Sequence, residues 1–415
     1  VSPPGAVLDE ETAAALDAAD PLGRWRAEFV AGDPDLVYLD GNSLGRPPKQ
    51  AIAAVEEALA VWGRDLVLAW DRWFDLGWRV GAELAPLLGA DANEVVLADQ
   101  TSVDLFKAAT AALRATSRPD VLTDAENFPS DRYVLAEVAR AAGGALRVVP
   151  ADPDAATVAR ALDERIGLVA LSHVSYRSGA LADLATLTRV AHEAGALALW
   201  DLSHSVGVVP IDLHDADADL AVGCTYKYLN GGPGAPAFLF VANRLADRLV
   251  PPIPGWFGHA DPFAFSPEYV PAAGARRFLA GTPPILSLVA ARAGIALVAA
   301  AGIDAIRDKS VALTERFLAT AERRLLPLGF TIATPRAPER RGSHVSLAHP
   351  HAHGVSRALR ARGVLVDHRA PDLVRYGFSP LVTTHRDVWR AAALTEEVVR
   401  SGEHLAHGGP RRGVT

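Results

Sequence analysis

The chain has 415 residues, half of them hydrophobic, a formal net charge of −8 and one cysteine, Cys224. The length supports a large core and two lobes, the acidic balance argues against a nucleic-acid partner, and a single thiol excludes an intrachain disulfide framework or a multi-cysteine metal site. No uninterrupted apolar run reaches membrane-spanning length, since the longest candidate, Ile285–Gly302, is broken by Arg292, and no basic-then-apolar leader opens the sequence; no membrane partner and no metal are expected, and the cytoplasm is the expected compartment.

In chain order, a helical pattern spans Glu10–Phe29 and a brief strand covers Val37–Asp40. The loop Gly41–Pro48 follows, carrying Asn42 and Ser43, which suit either a ligand or ordinary turn chemistry. A helix runs from Lys49 through Val61. Four of the eight tryptophans lie between Trp62 and Trp78; aromatics usually pack a core or an interface, and the sharper reading makes Trp62 the wall of an aromatic substrate pocket. Glu94–Ala98 reads as a strand and Val103–Leu113 as a helix, which places Thr101 and Ser102 at its N-terminus. Free amides and the helix dipole make that position a phosphate cup, and an ordinary cap is the alternative. After a short strand at Val121-Leu122 comes Phe128-Pro129-Ser130-Asp131, before a helix starting near Arg132. Ile166–Leu171 is a buried strand ending at Ser172, and the helix Leu184–Ala194 completes a βαβ unit.

The next stretch organises the rest. The apolar run Ala196–Trp200 ends on Asp201, and Leu220–Cys224 leads to Thr225-Tyr226-Lys227-Tyr228. Such runs read as strands buried on both faces of a parallel sheet, and open α/β sheets bind ligands at the C-terminal ends of their strands. One carboxylate and one lysine therefore meet at neighbouring strand ends, with His204 close to Asp201. Pyridoxal phosphate needs that pair: a lysine for its aldehyde carbon and an acid for its ring nitrogen. Solvated strand-end charges are the bland alternative. The chain has only four lysines, Lys49, Lys107, Lys227 and Lys309, which makes a lysine at this place less incidental. Further on, Ala235–Val241 reads as a strand, Pro251–Pro284 as loops carrying Trp256 and Thr282, and Ile285–Ala301 and Ala305–Leu325 as helices. Strand-like pieces at Gly329–Ala333, His344–His349, Val364–Asp367 and Val374–Phe378 then alternate with helices near Ser356–Arg362 and Asp387–Arg400. Arg375 lies in the last of these strands, and its planar fork suits an α-carboxylate or a surface partner. The last residues, Gly408–Thr415, are expected to fray.

Asp201-Leu202-Ser203-His204 followed by Tyr226-Lys227 resembles the kynureninases, a family of fold-type I pyridoxal-phosphate enzymes. Leu39-Asp40-Gly41-Asn42-Ser43-Leu44-Gly45, Phe128-Pro129-Ser130-Asp131, Gly255-Trp256-Phe257-Gly258 and Gly281-Thr282-Pro283-Pro284 extend the likeness in the family's order over most of the chain. The resemblance implies an α/β fold-type I transferase-like architecture. A large lobe of roughly residues 50–310 would hold a mostly parallel sheet between helices, and residues 1–49 and 311–415 would form a smaller α+β lobe. It implies hydrolysis of L-kynurenine to anthranilate and L-alanine in tryptophan catabolism. Lys227, Tyr226 and Asp201 would be catalytic. Thr101, Ser102, Phe128, Pro129, Ser130, Asp131, Ser172 and His204, with Trp256 and Thr282, would hold pyridoxal 5'-phosphate. Arg375, Asn42, Ser43 and Trp62 would meet the substrate. A homodimer with shared sites is expected, Trp256 and Thr282 reaching the neighbouring cofactor. Gly281-Thr282 replaces the Ser-Asn pair of the vertebrate type, which favours kynurenine over 3-hydroxykynurenine. The alternatives are a cysteine desulfurase-like enzyme, which needs a loop thiol, and an inactive cofactor-binding protein.

Overall fold

Continuous apolar runs supply the strands of this computed structural model, which describes residues 7–407; Gly408–Thr415 lie outside them. In chain order the strands are β1 (Val37–Tyr38), β2 (Val95–Ala98), β3 (Asp120–Asp124), β4 (Leu146–Val149), β5 (Ile166–Ser172), β6 (Leu197–Asp201), β7 (Leu220–Cys224), β8 (Ala237–Val241), β9 (Thr331–Ile332), β10 (His344–Ala348), β11 (Val364–Leu365), β12 (Asp367–Arg369) and β13 (Leu373–Gly377). Seven of them form one sheet in the order β2-β8-β7-β6-β5-β3-β4. Its pairs are parallel from β4 through β7, and β8 runs antiparallel to both of its neighbours. Side chains alternate across the sheet: Ala198, Trp200, Phe238 and Phe240 pack on one face, and Leu199, Leu220, Val222, Leu239 and Val241 on the other. Both faces are covered, which is why these strands read as unbroken apolar runs.

A second, antiparallel sheet has the order β12-β13-β10-β9. Its apolar face, with Val345, Leu347, Val374, Tyr376 and Phe378, packs on Phe317 of the Ile303–Arg324 helix. Val37 and Leu39 from the N-terminal segment join that cluster, and β1 pairs in parallel with β11. The expected single strand Val364–Asp367 is two: β11 pairs with β1, and β12 pairs with β13, Asp367 opposite Arg375.

Helix boundaries differ from expectation where side-chain signals are weak. The Glu10–Phe29 pattern splits into a helix, Glu10–Ala18, and a 3₁₀ turn, Gly23–Glu28; Pro21 between them cannot continue a helix. The helix expected at Val103 starts at Thr101, because its N-cap, Gln100, offers no side-chain cap to mark the start. The helix expected near Arg132 starts at Pro129, where a missing N–H costs nothing. Among the described residues no single helix is long and apolar enough to cross a membrane.

Candidate active site

Three neighbouring strands end at one edge of the large sheet. Register places Ser172 of β5 opposite Asp201 of β6, and β7, beside β6, leads through Cys224 to Lys227. Lys227 Nζ lies 2.8 Å from Nε2 of His204. Burial, then the charge of Lys227, push the pKa of His204 well below its ordinary value, so a neutral imidazole faces the lysine. The other ring nitrogen of His204 is buried with no hydrogen-bond partner among the described residues. The loop Leu39–Gly45 closes on this turn: the Gly45 amide donates to the Tyr226 carbonyl at 2.8 Å. A Cβ on Gly45 would stand 2.3 Å from the Lys227 carbonyl oxygen, so only glycine allows that approach.

Two acids face each other beside the lysine. Asp131, from the first turn of the Pro129–Ala141 helix, is 3% exposed and hydrogen-bonded to Asp201. Burial, then the Asp201 charge, push the Asp131 pKa well above the carboxylate range. Asp131 therefore keeps its proton beside the half-buried Asp201. Asp201 Oδ1 also accepts the Ser203 amide at 2.9 Å, which fixes its orientation.

These groups line a cavity of about 280 Å³ with Thr101, Ser102, Phe128, Ser130, Ser172, His204 and Tyr226. Thr101 and Ser102 open the Thr101–Thr116 helix, whose first internal bonds run from the Val103 and Asp104 amides to the Gln100 carbonyl. Among the described residues the preceding amides have no acceptor, and a helix start leaves such donors aimed outward from its end. Ser172 Oγ donates to Asn127 Oδ1 at 2.8 Å. Tyr226 keeps its phenol proton: the neighbouring Cys224, then burial, raise its pKa. Sequence reasoning missed Gln100, Tyr176, Ser203, Gly234, Ala235 and Ala237, which also line the cavity. Tyr176 stands edge-on to Phe128, ring centroids 5.2 Å apart; the aromatic in His173-Val174-Ser175-Tyr176, directly after the β5 strand end, was the available signal.

Arg375 belongs to a second cluster behind that wall. It is 1% exposed; its guanidinium pairs with Asp367, bonds the Tyr176 carbonyl and lies 3.4 Å from Ser43 Oγ, while Nε has no hydrogen-bond partner among the described residues. Ser43 Oγ donates to Asp367 at 2.9 Å. Both amide atoms of Asn42 are buried and unpartnered among the described residues, as are both ring nitrogens of His344. A Cβ on Gly377 would lie 1.8 Å from Asn42 Oδ1, so β13 admits the Asn42 side chain only because residue 377 is glycine.

The remaining expected site residues stand apart from the cavity wall. Pro129 faces a neighbouring pocket with Arg132 and Tyr133. Trp62 is 58% exposed and borders a shallow depression with Leu66, Trp70 and Leu286. Trp256 is 42% exposed against Phe74, Phe257 and Phe263, and Thr282 is exposed.

The fold is shared with pyridoxal-phosphate enzymes. The cysteine desulfurase CsdA of Escherichia coli superposes with a TM-score of 0.78 at 19% identity, over 92% of this chain and 98% of that one. A lysine-to-alanine mutant of C-DES, solved with glycine covalently linked to its pyridoxal-phosphate cofactor, superposes with a TM-score of 0.77 at 19% identity, over 89% and 98%. Residues 306–394 match the family model of the kynureninase C-terminal domain. The kynureninase of Pseudomonas fluorescens is 44% identical over 93% of this chain and 94% of its own, and that of Deinococcus radiodurans is 45% identical over 93% and 95%. With identity of that order along nearly the full length, and a lysine, a histidine and two acids converging at the sheet's edge, the chain belongs to the kynureninase family.

Proposed function

We propose that this chain hydrolyses L-kynurenine between Cβ and Cγ to anthranilate and L-alanine, a step of tryptophan catabolism, using pyridoxal 5'-phosphate. One observation carries the reading: Lys227, the buried Asp131 with its neighbour Asp201, and the helix N-terminus at Thr101 line one cavity of a kynureninase-family chain. The residues fit the cofactor. The hydrogen bond that Asp131 makes to Asp201 marks where a ring N–H would be accepted, and Thr101 and Ser102 offer donors to a phosphate. Phe128 and Tyr176 would flank the cofactor ring, and Ser130, Ser172 and His204 on the same cavity wall would surround it.

When bound, pyridoxal phosphate supplies an electron sink for the bonds to the substrate Cα. Lys227 would hold the cofactor at its aldehyde carbon, and its free amine would take the proton from the substrate Cα. Neutral His204 accepts a hydrogen bond from the Lys227 amine and holds it in place. Water adds at the side-chain carbonyl, the Cβ–Cγ bond breaks, and the acyl part leaves as anthranilate. Tyr226, with its phenol protonated, donates to Cβ. Arg375 binds the substrate carboxylate, with Asn42 and Ser43 completing that pocket; the unpartnered atoms of Asn42 and Arg375 support this reading.

The chain acts as a cytoplasmic homodimer in this reading, Trp256 and Thr282 serving the neighbouring site, because both lie outside their own cavity wall and Leu66, Val67, Leu68 and Phe265 leave apolar surface exposed. Trp62 belongs to the same face. Gly281-Thr282 offers no side-chain amide for a ring hydroxyl, which favours kynurenine over 3-hydroxykynurenine. The desulfurase alternative is disfavoured: the only thiol, Cys224, is 1% exposed in β7, and burial raises its pKa. Incubation of the cofactor-loaded protein with L-kynurenine, followed by anthranilate fluorescence, tests the proposal; release of no anthranilate would refute it.

A further inference from the structure

Lys107 is wholly buried, although an ammonium seldom leaves water without strong partners. Its ammonium donates to Asp99 Oδ2 at 2.7 Å and to the Phe278 carbonyl at 2.9 Å, and it forms an ion pair with Asp104 Oδ1 at 2.7 Å. Burial works against its charge, but the Asp104 and Asp99 carboxylates more than offset this and raise its pKa.

Each partner leads to a different part of the site. Asp99 follows β2 and precedes Gln100, Thr101 and Ser102 on the cavity wall. Its φ of 46° lies in the left-handed region, which a non-glycine residue adopts only when its surroundings hold it there. The Asp99 carbonyl accepts the amide of Ala237, another wall residue, at 3.3 Å. Asp104 sits in the first turn of the Thr101–Thr116 helix. Phe278 closes the 3₁₀ turn Gly274–Phe278, just before Ala280-Gly281-Thr282. Gly255, next to Trp256, packs directly on Ala280: a Cβ there would lie 2.0 Å from the Ala280 carbonyl oxygen.

We infer that Lys107 is a positioning residue, whose ammonium locks Asp99 and the first turn of the Thr101–Thr116 helix to the Phe278 carbonyl and so sets the phosphate cup and the segments carrying Trp256 and Thr282 in one geometry. The inference rests on reading Thr101 and Ser102 as the phosphate cup. A compact ammonium suits two carboxylates at the helix start and one carbonyl from a distant turn gathered round a single point, and a planar guanidinium does not.

The test compares Lys107→Arg with Ser102→Ala in the full chain. Three quantities are read: the affinity of the cofactor-free protein for pyridoxal phosphate, the visible circular dichroism of the bound cofactor, and the melting temperature of the cofactor-free protein. Lys107→Arg keeps the charge but loses the geometry. It should weaken cofactor binding by about tenfold, the effect of losing one hydrogen bond to a charged group, and alter the visible dichroism, while the melting temperature changes little. Unchanged affinity and dichroism, or a lowered melting temperature with both unchanged, would overturn the inference. If Lys107→Arg does not fold, Asp99→Asn is read the same way, with weaker cofactor binding expected and unchanged binding counting against the brace. Loss of affinity in Ser102→Ala alone leaves the cup standing and refutes the brace; no loss in Ser102→Ala refutes the cup, and the brace with it.

Discussion

The cofactor side and the carboxylate side of this site are built in different ways. On the cofactor side, Ser172, Asp201 and Lys227 come from the ends of β5, β6 and β7, adjacent strands of one sheet. Their convergence follows from the parallel βα architecture, in which every strand delivers its last residue to the same edge. On the other side, Arg375 and Asp367 face each other across an antiparallel pair and meet Ser43 from 332 residues away in sequence. No strand-end rule brings those groups together; tertiary packing does. The first region is therefore organised around a cavity, and the second around an ion pair that leaves Arg375 Nε and Asp367 Oδ1 without a hydrogen-bond partner among the described residues.

The two regions should fail differently when cut. Lys227→Ala removes the only lysine on the cavity wall and should abolish nearly all anthranilate release. A variant with substantial turnover would move the chemistry elsewhere. Arg375→Ala should act on binding. Removing one partner of a buried charged contact costs on the order of 2–5 kcal/mol, so KM for kynurenine should rise steeply while cofactor content stays unchanged. A normal KM would make Arg375 a structural partner of Asp367 alone.

A smaller signal tests whether the site crosses between subunits. Lys227→Ala and Trp256→Ala, each inactive alone, are co-refolded in equal amounts. Random pairing makes about half the dimers mixed, and one site of each mixed dimer inherits neither lesion, so roughly a quarter of all sites should work. Mixed dimers that form and stay inactive would return Trp256 to its own subunit.

The smallest expected effect is on stability against pH, and its sign differs between the regions. Burial, then Arg375, hold the His344 pKa well below the ordinary 6.5. The unfolded chain then binds the extra proton as pH falls below about 6.5, and this residue's contribution to stability is lost toward its folded pKa. Asp131 behaves oppositely, since its raised pKa means that the folded chain binds the extra proton above the ordinary 3.8; its proton linkage favours folding more as pH falls toward that value. Melting curves of the cofactor-free protein between about pH 5 and pH 7 should show a shallower acid-side loss in His344→Gln and a steeper one in Asp131→Asn. Identical profiles in all three proteins would contradict these proton assignments.

What was legible in the sequence follows the same division. The runs ending at Ser172, Asp201 and Cys224 are buried on both faces, so period and composition marked them, and the strand-end rule then brought Asp201 and Lys227 together. The edge strand β4 escaped because Arg147 and Val148 are exposed, which leaves Leu146–Val149 without an apolar signature. Tyr176 was passed over because it sits in a loop, where no period marks which side chain turns inward. The Arg375–Asp367 pairing was out of reach, because it depends on the break between β11 and β12 and on the antiparallel register that follows. Lys107 was visible only as one lysine among four; its importance lies in joining the nearby Asp99 and Asp104 to the Phe278 carbonyl, 171 residues away, which no local pattern announces.

Everything proposed for the sheet-edge cavity depends on Lys227 carrying the cofactor. Reduction of the cofactor-loaded protein with borohydride, followed by peptide mapping, measures this directly. A reduced pyridoxyl group is expected on Lys227. Its appearance on Lys49, Lys107 or Lys309 with Lys227 unmodified would contradict it.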